Sequence, residues 1–564
     1  MNLFYQIGNS IKLSKMNKSI YLILFVCTMA CQPAKNEISE TVSIDTLTIA
    51  RHIEILASDE FQGRKPFTEG EVKTLAYLEE AFKSYGLSPG NGDSYFQAVP
   101  LVELDAEPEA EMLIKGNGKE VRLQLGTEFV AFSERVEETS IIDASELVFA
   151  GHGVVAPEYG WDDYAGLDVK GKTVIVLVND PGFGSGDSTF FKGQAMTYYG
   201  RWTYKYEEAA RQGAAGIFII HQTAPASYPW SVVQNGWTGA SLFLDQTGDN
   251  YKPAIQGWVT RDAAIKIFEA SDVDMKNFVE KSRNKDFKPF SLGLTASVGL
   301  TESIKKDVSQ NVIAKIEGTE KPDEVIIYTA HWDHLGIGPA VDGDSIYNGA
   351  HDNASGVASL LTIAEAFMKM DVKPKRTIIF LAVTAEEQGL LGSKYYAENP
   401  IYPTSKTVAN INMDGLYYMG LMKDLTVIGY GQSDLDELAE ELAKGQGRYI
   451  LADPTPEKGF FFRSDHFQFA KVGIPASYSY GSYEAVNGGV KYAKETLEAY
   501  TAIAYHRPAD EFKLGESDWK LAGMQQDVEL FSALGWKLAN SEIWPQWKEG
   551  SEFKAIREGD LSKN

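Results

Sequence analysis

Cysteine is almost missing from this chain. Of 564 residues only Cys27 and Cys31 carry a thiol. Beyond residue 31 there is no disulfide and no cysteine-built metal site. A site for zinc or a similar ion must then be made from His, Asp and Glu. Histidine is scarce too: there are eight, and five of them fall between His331 and His506. Positive charge is in deficit, with 53 Lys and Arg against 78 Asp and Glu. No basic stretch with interleaved aromatics occurs, which argues against a nucleic-acid partner. Internal repeats and low-complexity segments are missing as well. What remains is an ordinary globular composition, on a chain long enough for two to four domains.

The N-terminus reads as a targeting segment. "KLSKMNKSIYLILFVCTMAC" has a lysine-bearing start and an apolar run from Ile20 to Val26. That run is too short to cross a bilayer as a helix, so a cleaved export signal over residues 1–31 fits it. Met16 begins a compact version of the signal. "CTMAC" resembles a bacterial lipoprotein box with Cys31 as the lipidated residue, although threonine stands where leucine is usual. The alternative is plain secretion with cleavage nearby. The lipid reading predicts an exported lipoprotein, periplasmic or outer-membrane-anchored, whose membrane contact is that anchor alone. Residues 32–45 read as a polar tether.

Downstream, residues from Ile49 to Leu87 show a helical pattern ending at Gly86-Leu87. The stretch 146–182 turns to short β-branched runs with many glycines. "TYKYEEAARQGAAG" and "IFIIHQ" follow as helix and strand, forming a small strand-rich module. From Val308 the strands "NVIAKI", "VIIYTA", "TIIFLAVT" and "TVANINM" alternate with helical patterns. This predicts an α/β fold with a mostly parallel, mixed sheet covered by helices on both faces. Val357, Leu360, Leu361, Ala364, Phe367 and Met368 mark one apolar helical face. "DWKLAGMQQDVELFSALGWKLANSE" reads as a long amphipathic helix.

Ligands of open α/β sheets sit at the carboxyl ends of the strands. Here every candidate strand ends in an ionisable side chain. "VIIYTA" delivers His331 and Asp333. "NGAHDNASG" places Asp352 at a helix start. "TIIFLAVT" delivers Glu386 and Glu387, and "TVANINM" delivers Asp414. "FFRSDHFQFAKVGIPA" offers Asp465 and His466, and "AYHRPADEF" offers Tyr505, His506 and Asp510. Such donors suit a pair of divalent cations joined by a bridging carboxylate. A neighbouring carboxylate outside the ligand set can move protons.

"AHWDHLG", "HDNASG", "AEEQGLLGS", "NMD", "SDHFQFAKVGIPA" and "YHRPAD", in that order, resemble the dizinc exopeptidase family of bacterial leucyl aminopeptidases and glutamate carboxypeptidase. The inserted module resembles a protease-associated domain. The resemblance implies a zinc peptidase domain over 46–138 and 280–545, a protease-associated insert over 139–279, and a tail over 546–564. It implies two Zn2+ per chain and a peptide substrate. His331 and Asp414 would hold one zinc, Glu387 and His506 the other, with Asp352 bridging. Glu386 would be the general base. Asp333 would orient the His331 imidazole, and Tyr505 would stabilise the tetrahedral oxyanion. Asp510 matches the acidic residue that follows the last histidine. An aminopeptidase is the favoured activity.

Blander readings stand beside these. His334 reads as structural or as a support to the ligands. His351 occupies a place where the family often has an acidic residue or asparagine; it either perturbs metal affinity or is a solvated loop residue. Asp465 or His466 lines the substrate cleft, or "SDH" is a helix N-cap. Tyr505 has a packing alternative. Trp230, Trp237, Tyr478, Tyr480 and Tyr483 either frame a pocket or pack. His152 and His221 read as structural. Rival functions are a carboxypeptidase, for which Arg463 is the candidate cation, a one-zinc glutaminyl cyclase, and a non-catalytic receptor. The complete ligand set argues against the last two.

Overall fold

The computed structural model describes residues 42–237, 239–245, 251–416, 418–512 and 519–562. The export signal and most of the tether lie outside them. Among the described residues no helix is long and apolar enough to cross a membrane.

Ten strands define the path of one large sheet: β1 (Phe129–Phe132), β2 (Thr139–Phe149), β3 (Thr173–Leu177), β4 (Gly216–His221), β5 (Ile255–Thr260), β6 (Phe290–Ile316), β7 (Lys321–His331), β8 (Arg376–Val383), β9 (Thr407–Asn412) and β10 (Ala476–Tyr478). Their order is β10-β9-β7-β8-β6-β2-β3-β4-β5-β1. The site-bearing strands β7, β8, β9 and β10 are mutually parallel. So are β2 to β5. Strand β6 runs antiparallel to both β8 and β2 and joins the two halves into a mixed sheet. The expected mixed α/β architecture is what forms.

Strand periodicity explains why both faces need cover. Ile326, Tyr328 and Ala330 of β7 point into one core, with Ile378, Phe380 and Ala382 of β8. Val325 and Ile327 point into the other, with Ile379, Leu381 and Val383. Both sides of each strand are buried, so the sequence runs as unbroken β-branched and aromatic stretches. Helices α1 (Thr46–Leu56), α2 (Glu69–Tyr85), α4 (Ser355–Met368) and α7 (Ala522–Ala539) share the first core. Helix α5 (Leu391–Glu398) supplies Tyr396 to the second. Helix α3 (Trp202–Arg211) covers β4, and α6 (Gly489–Ile503) precedes His506.

Helix α4 was expected to bury one face, yet it is buried nearly all round. It lies between the sheet and α1 and α2. Its polar residues survive there because their hydroxyls turn back on the helix. Ser355, Ser359 and Thr362 donate to the carbonyls of His351, Ser355 and Ala358 at 2.7, 2.8 and 2.7 Å.

The single helical pattern expected from Ile49 to Leu87 is in fact two helices. They are separated by a short 3-10 segment in which Gln62, Gly63 and Arg64 adopt positive φ of 48, 65 and 52°. A Cβ on Gly63 would sit 2.4 Å from the Tyr347 carbonyl oxygen. The break lets Arg64 turn inward, with consequences for the site.

Candidate functional site

Three strand ends and two helix ends converge. Strand β7 ends in His331, and β8 leads through Ala385, at φ 53°, into Glu386 and Glu387. Asp414 follows β9. Asp352 lies in the irregular turn before α4, and His506, at φ 56°, lies beyond α6. Non-glycine residues held at positive φ store strain that the surroundings must overcome. Two of them sit here, next to the groups the chemistry needs.

The geometry is that of two nests sharing one carboxylate. His331 Nε2 lies 3.3 Å from Asp352 Oδ1 and 3.3 Å from Asp414 Oδ1. His506 Nε2 lies 3.2 Å from Asp352 Oδ2 and 3.1 Å from Glu387 Oε2. Each oxygen of Asp352 thus faces a different histidine and a different second carboxylate. His334 Nδ1 sits 2.6 Å from the other Glu387 oxygen, Oε1. Two groups could hold ions: His331, Asp352 and Asp414, and His334, Asp352 and Glu387. His334 is therefore drawn into the cluster itself.

The loops are tied by their own polar groups. The Asp333 carboxylate accepts the N–H groups of Glu386 at 3.0 Å and Glu387 at 3.4 Å. The nearest partner of His331 Nδ1 is the Asp333 backbone carbonyl at 3.2 Å, with the carboxylate 3.8 Å away. Asp333 thus holds the glutamate turn with its side chain and the imidazole chiefly with its backbone. Asp510 accepts the N–H groups of His351 at 3.0 Å and Asp352 at 3.1 Å. Asn353 donates to the Met413 carbonyl and accepts from the N–H of Gly415, joining the loops of Asp352 and Asp414. Gly349 permits this turn at φ 58°, since a Cβ would meet the Asp352 carbonyl oxygen at 2.3 Å.

Two supports were not singled out from sequence. Ser464 Oγ donates to Asp414 Oδ2 at 2.5 Å and accepts from Asn412 Nδ2 at 2.7 Å. Arg64, 1% exposed, donates to the carbonyls of Trp332, Leu56, Asn348 and Gly349 at 2.6 to 2.9 Å. It pins the loop after β7 to the loop before Asp352. Burial lowers its pKa to about 10, against the pull of Asp333 and other site carboxylates. The "SDH" motif hinted at Ser464. Nothing local marked Arg64.

Electrostatics test whether cations fit. Among the described residues Asp352, Asp414 and Glu387 have no Lys or Arg ion-pair partner; only histidines face them. Burial opposes ionisation of Asp352, yet hydrogen bonds from His331 and His506 hold its carboxyl well below the usual range. Burial and the Asp352 charge push Glu387 up, but His506 and His334 bring it down to about 2. His331 and His506 are raised well above an ordinary imidazole, despite burial, by the carboxylates they face. Converging carboxylates balanced only by imidazolium ions are a set that divalent cations would satisfy. His334 Nε2 is buried and without a hydrogen-bond partner. The donor set fits a zinc pair.

Glu386 differs from its neighbour. Burial raises it well above an ordinary carboxyl; His331 opposes this, and Asp414, Glu387 and Asp465 add to it. It is recessed beside the nests, without an ion-pair partner among the described residues. Tyr505 is 42% exposed and stacks on the His506 ring at 3.9 Å.

The remaining candidates settle into place. His351 is buried against Tyr500, ring centroids 4.5 Å apart, so the solvated alternative is excluded; α6 covers it. Asp465 and His466 are fully buried and line no open cleft. Asp465 stands at the N-cap position of helix His466–Lys471, but its side chain makes no cap bond; its Oδ1 accepts from Ser393 Oγ at 2.5 Å. His466 stacks on Tyr478. Trp230 donates to the Gly126 carbonyl, and Trp237 packs on Trp202 and Trp258. Tyr480 stacks on Phe460, while the Tyr483 N–H donates to Asp424. His152 is buried and His221 contacts the Tyr228 carbonyl at 3.0 Å, both far in sequence from the cluster.

Comparison with known proteins finds related zinc peptidases. Residues 311–530 match the model of peptidase family M28. That segment is similar to this family. Every residue of the two nests lies within it. The chain is 38% identical over 209 residues to a probable zinc metalloprotease of Pyrenophora tritici-repentis, covering 36% of this chain and 42% of that one. It is 29% identical over 203 residues to a probable leucine aminopeptidase 2 of Aspergillus fumigatus, covering 34% and 37%. The chain thus spans less than half the length of these curated relatives. A solved aminopeptidase from Aneurinibacillus sp. strain AM-1 aligns over 89% of this chain and 96% of its own, at 19% identity and a TM-score of 0.45.

Proposed function

We propose that this M28 protein is an exported dizinc exopeptidase that removes N-terminal residues from peptides. The observation that carries the reading is Asp352, whose two oxygens face separate His-carboxylate pairs. His331 and Asp414 would hold one zinc ion, and Glu387 and His506 the other, with Asp352 shared. When bound, the ions supply Lewis acidity, polarising the scissile carbonyl and lowering the pKa of the attacking water.

The chain's own groups do the rest. Glu386 takes the proton from the attacking water and returns it to the leaving amine. Its raised proton affinity suits a group that must hold that proton in between. Asp333 fixes the turn that aims it. Tyr505, at the solvent edge over His506, would donate its hydroxyl to the oxyanion. His334 steadies Glu387. Residues 139–279 form the protease-associated insert of this reading, and Cys31 its lipid anchor in the periplasm or outer membrane.

Two measurements test it. Metal analysis of the purified protein is expected to return about two zinc ions per chain. Incubation of the zinc-loaded protein with a mixed peptide library is expected to shorten peptides from the amino end, read by mass spectrometry. Trimming from the carboxyl end would overturn the aminopeptidase assignment, and no trimming would overturn the peptidase reading.

A further inference from the structure

Helix α6 leads into Tyr505 and His506, yet of its 15 residues only Ala493 and Tyr500 are buried. The chain on either side of it is held more firmly. Before it, the Lys423 N–H donates to the Glu484 carbonyl at 2.9 Å, and the Val486 N–H to the Leu421 carbonyl at 2.8 Å. Gly488 and Gly489, at φ 99 and 62°, then turn the chain into the helix. Beyond it, the Asp510 carbonyl accepts the Ala350 N–H at 3.0 Å. Between these anchors α6 is a strap, and Tyr500 is its one large buried side chain.

Tyr500 stands at a junction. Its ring lies among His351, Tyr418, Met419 and Leu497, 4.5 Å from the His351 ring and 6.4 Å from that of Tyr418. Its hydroxyl donates to Asp510 Oδ2 at 3.3 Å. The same oxygen accepts the Asp352 N–H at 3.1 Å. The Tyr500 ring also meets that of Tyr505, with centroids 6.2 Å apart. Tyr505 stacks on His506 at 3.9 Å, and His506 Nε2 returns to Asp352 Oδ2 at 3.2 Å. The Tyr500 carbonyl accepts the N–H groups of Ala504 and Tyr505 at 2.8 and 3.0 Å. These contacts close a ring, from the Asp352 backbone through Asp510, Tyr500, Tyr505 and His506 back to the Asp352 side chain.

A helix of this length is marginal without tertiary packing. Where it sits is therefore decided by its few buried side chains. A tyrosine suits that task, because it buries a large ring while its polar tip finds an acceptor. His506 lies at φ 56°, outside the helical conformation, so its imidazole goes where the helix end puts it. A displaced helix end would carry His506 away from Asp352 and Glu387, and Tyr505 with it. His331 ends β7 and Asp414 follows β9. Neither hangs on α6.

We propose that Tyr500 is a positioning residue for the metal cluster. It latches α6 to the turn of Asp352 and thereby sets His506 and Tyr505 against the shared carboxylate. The nest of His506 and Glu387 depends on this latch, and the nest of His331 and Asp414 does not. The proposal rests on the dizinc reading above.

Calorimetric titration of zinc into the metal-free protein compares the wild type, Tyr500→Phe and Tyr500→Leu. Circular dichroism melts identify variants that fold. Tyr500→Leu is expected to weaken one of the two zinc affinities about 10-fold or more and to leave the other within about threefold. Tyr500→Phe keeps the ring and is expected to hold both within about threefold. A merely structural tyrosine would move both affinities together or neither, and either result in a folded Tyr500→Leu protein overturns the proposal. Amide hydrogen exchange reads the latch without metal or activity. In metal-free Tyr500→Leu the amides of 489–506 are expected to exchange about tenfold faster than in the metal-free wild type, with those of β7 nearly unchanged. Equal exchange over 489–506 overturns the proposal. Should Tyr500→Leu fail to fold, the wild type decides: saturating zinc is expected to slow exchange over 499–506 about tenfold, and no slowing overturns the proposal. Failure of the dizinc reading appears separately, as a wild-type protein that takes up fewer than two zinc ions; exchange in the metal-free proteins then still decides the latch.

Discussion

Replacing Glu386 by glutamine exchanges one ionisable oxygen for an amide and changes almost no volume. The turn should survive, because the residue is held through its backbone N–H by Asp333 at 3.0 Å. Metal content should survive too, since Glu386 belongs to neither group of candidate ligands. What is lost is the proton carrier. A positioned acid-base group contributes roughly 10²- to 10⁴-fold, or about 2.7–5.4 kcal/mol of barrier. A fall in kcat/KM of that size is expected on a neutral aminoacyl anilide, with about two zinc ions retained. A second readout uses the metal-free protein. Burial raises the Glu386 carboxyl above its unfolded value. A group of this sign contributes stability below its unfolded pKa and loses it as pH rises through the folded pKa. Glutamine never ionises, so metal-free Glu386→Gln should melt higher than the metal-free wild type above the folded pKa and less differently at pH 4. Full activity with both ions bound would refute the assignment. A lower Tm of the metal-free variant at alkaline pH would refute the electrostatic argument.

Two further outcomes follow from the supports. Ser464→Ala removes the hydroxyl that donates to Asp414; zinc affinity, measured by chelator competition, should weaken about 10- to 100-fold, as is typical when a group orienting a ligand is lost. Unchanged affinity would show that Asp414 is positioned by other means. Arg64→Met leaves four carbonyls without their shared donor; denaturant unfolding should show a loss of about 3 kcal/mol or more, and a loss below about 1 kcal/mol would show that water takes over those carbonyls.

The sheet and its ionisable ends could be read in advance because their signals are local. An apolar stretch buried on both sides, such as 325–330, declares a strand, and the acid or histidine behind it declares the edge. Arg64 could not be read this way. Its acceptors Trp332, Asn348 and Gly349 lie more than 260 positions away, and no propensity connects them. The burial of His351 is not legible locally because its cover, Tyr500, arrives on a distant helix. The break between α1 and α2 was hidden because helical periodicity persists on both sides of it, while positive φ at Gln62 and Arg64 is imposed by tertiary contact.

Strand β6 has a consequence for how the chain can be cut. Its first half pairs with β2 and its last residues pair with β8, so one continuous ribbon joins both halves of the sheet. Along it Leu292, Leu294, Ala296, Val298 and Leu300 alternate on a buried face. Excising 139–279 would remove β2 and leave that stretch with a row of unpaired backbone groups beside an apolar face. Such an edge templates pairing with other chains. A deletion of residues 139–279 should therefore yield aggregates rather than a smaller soluble protein.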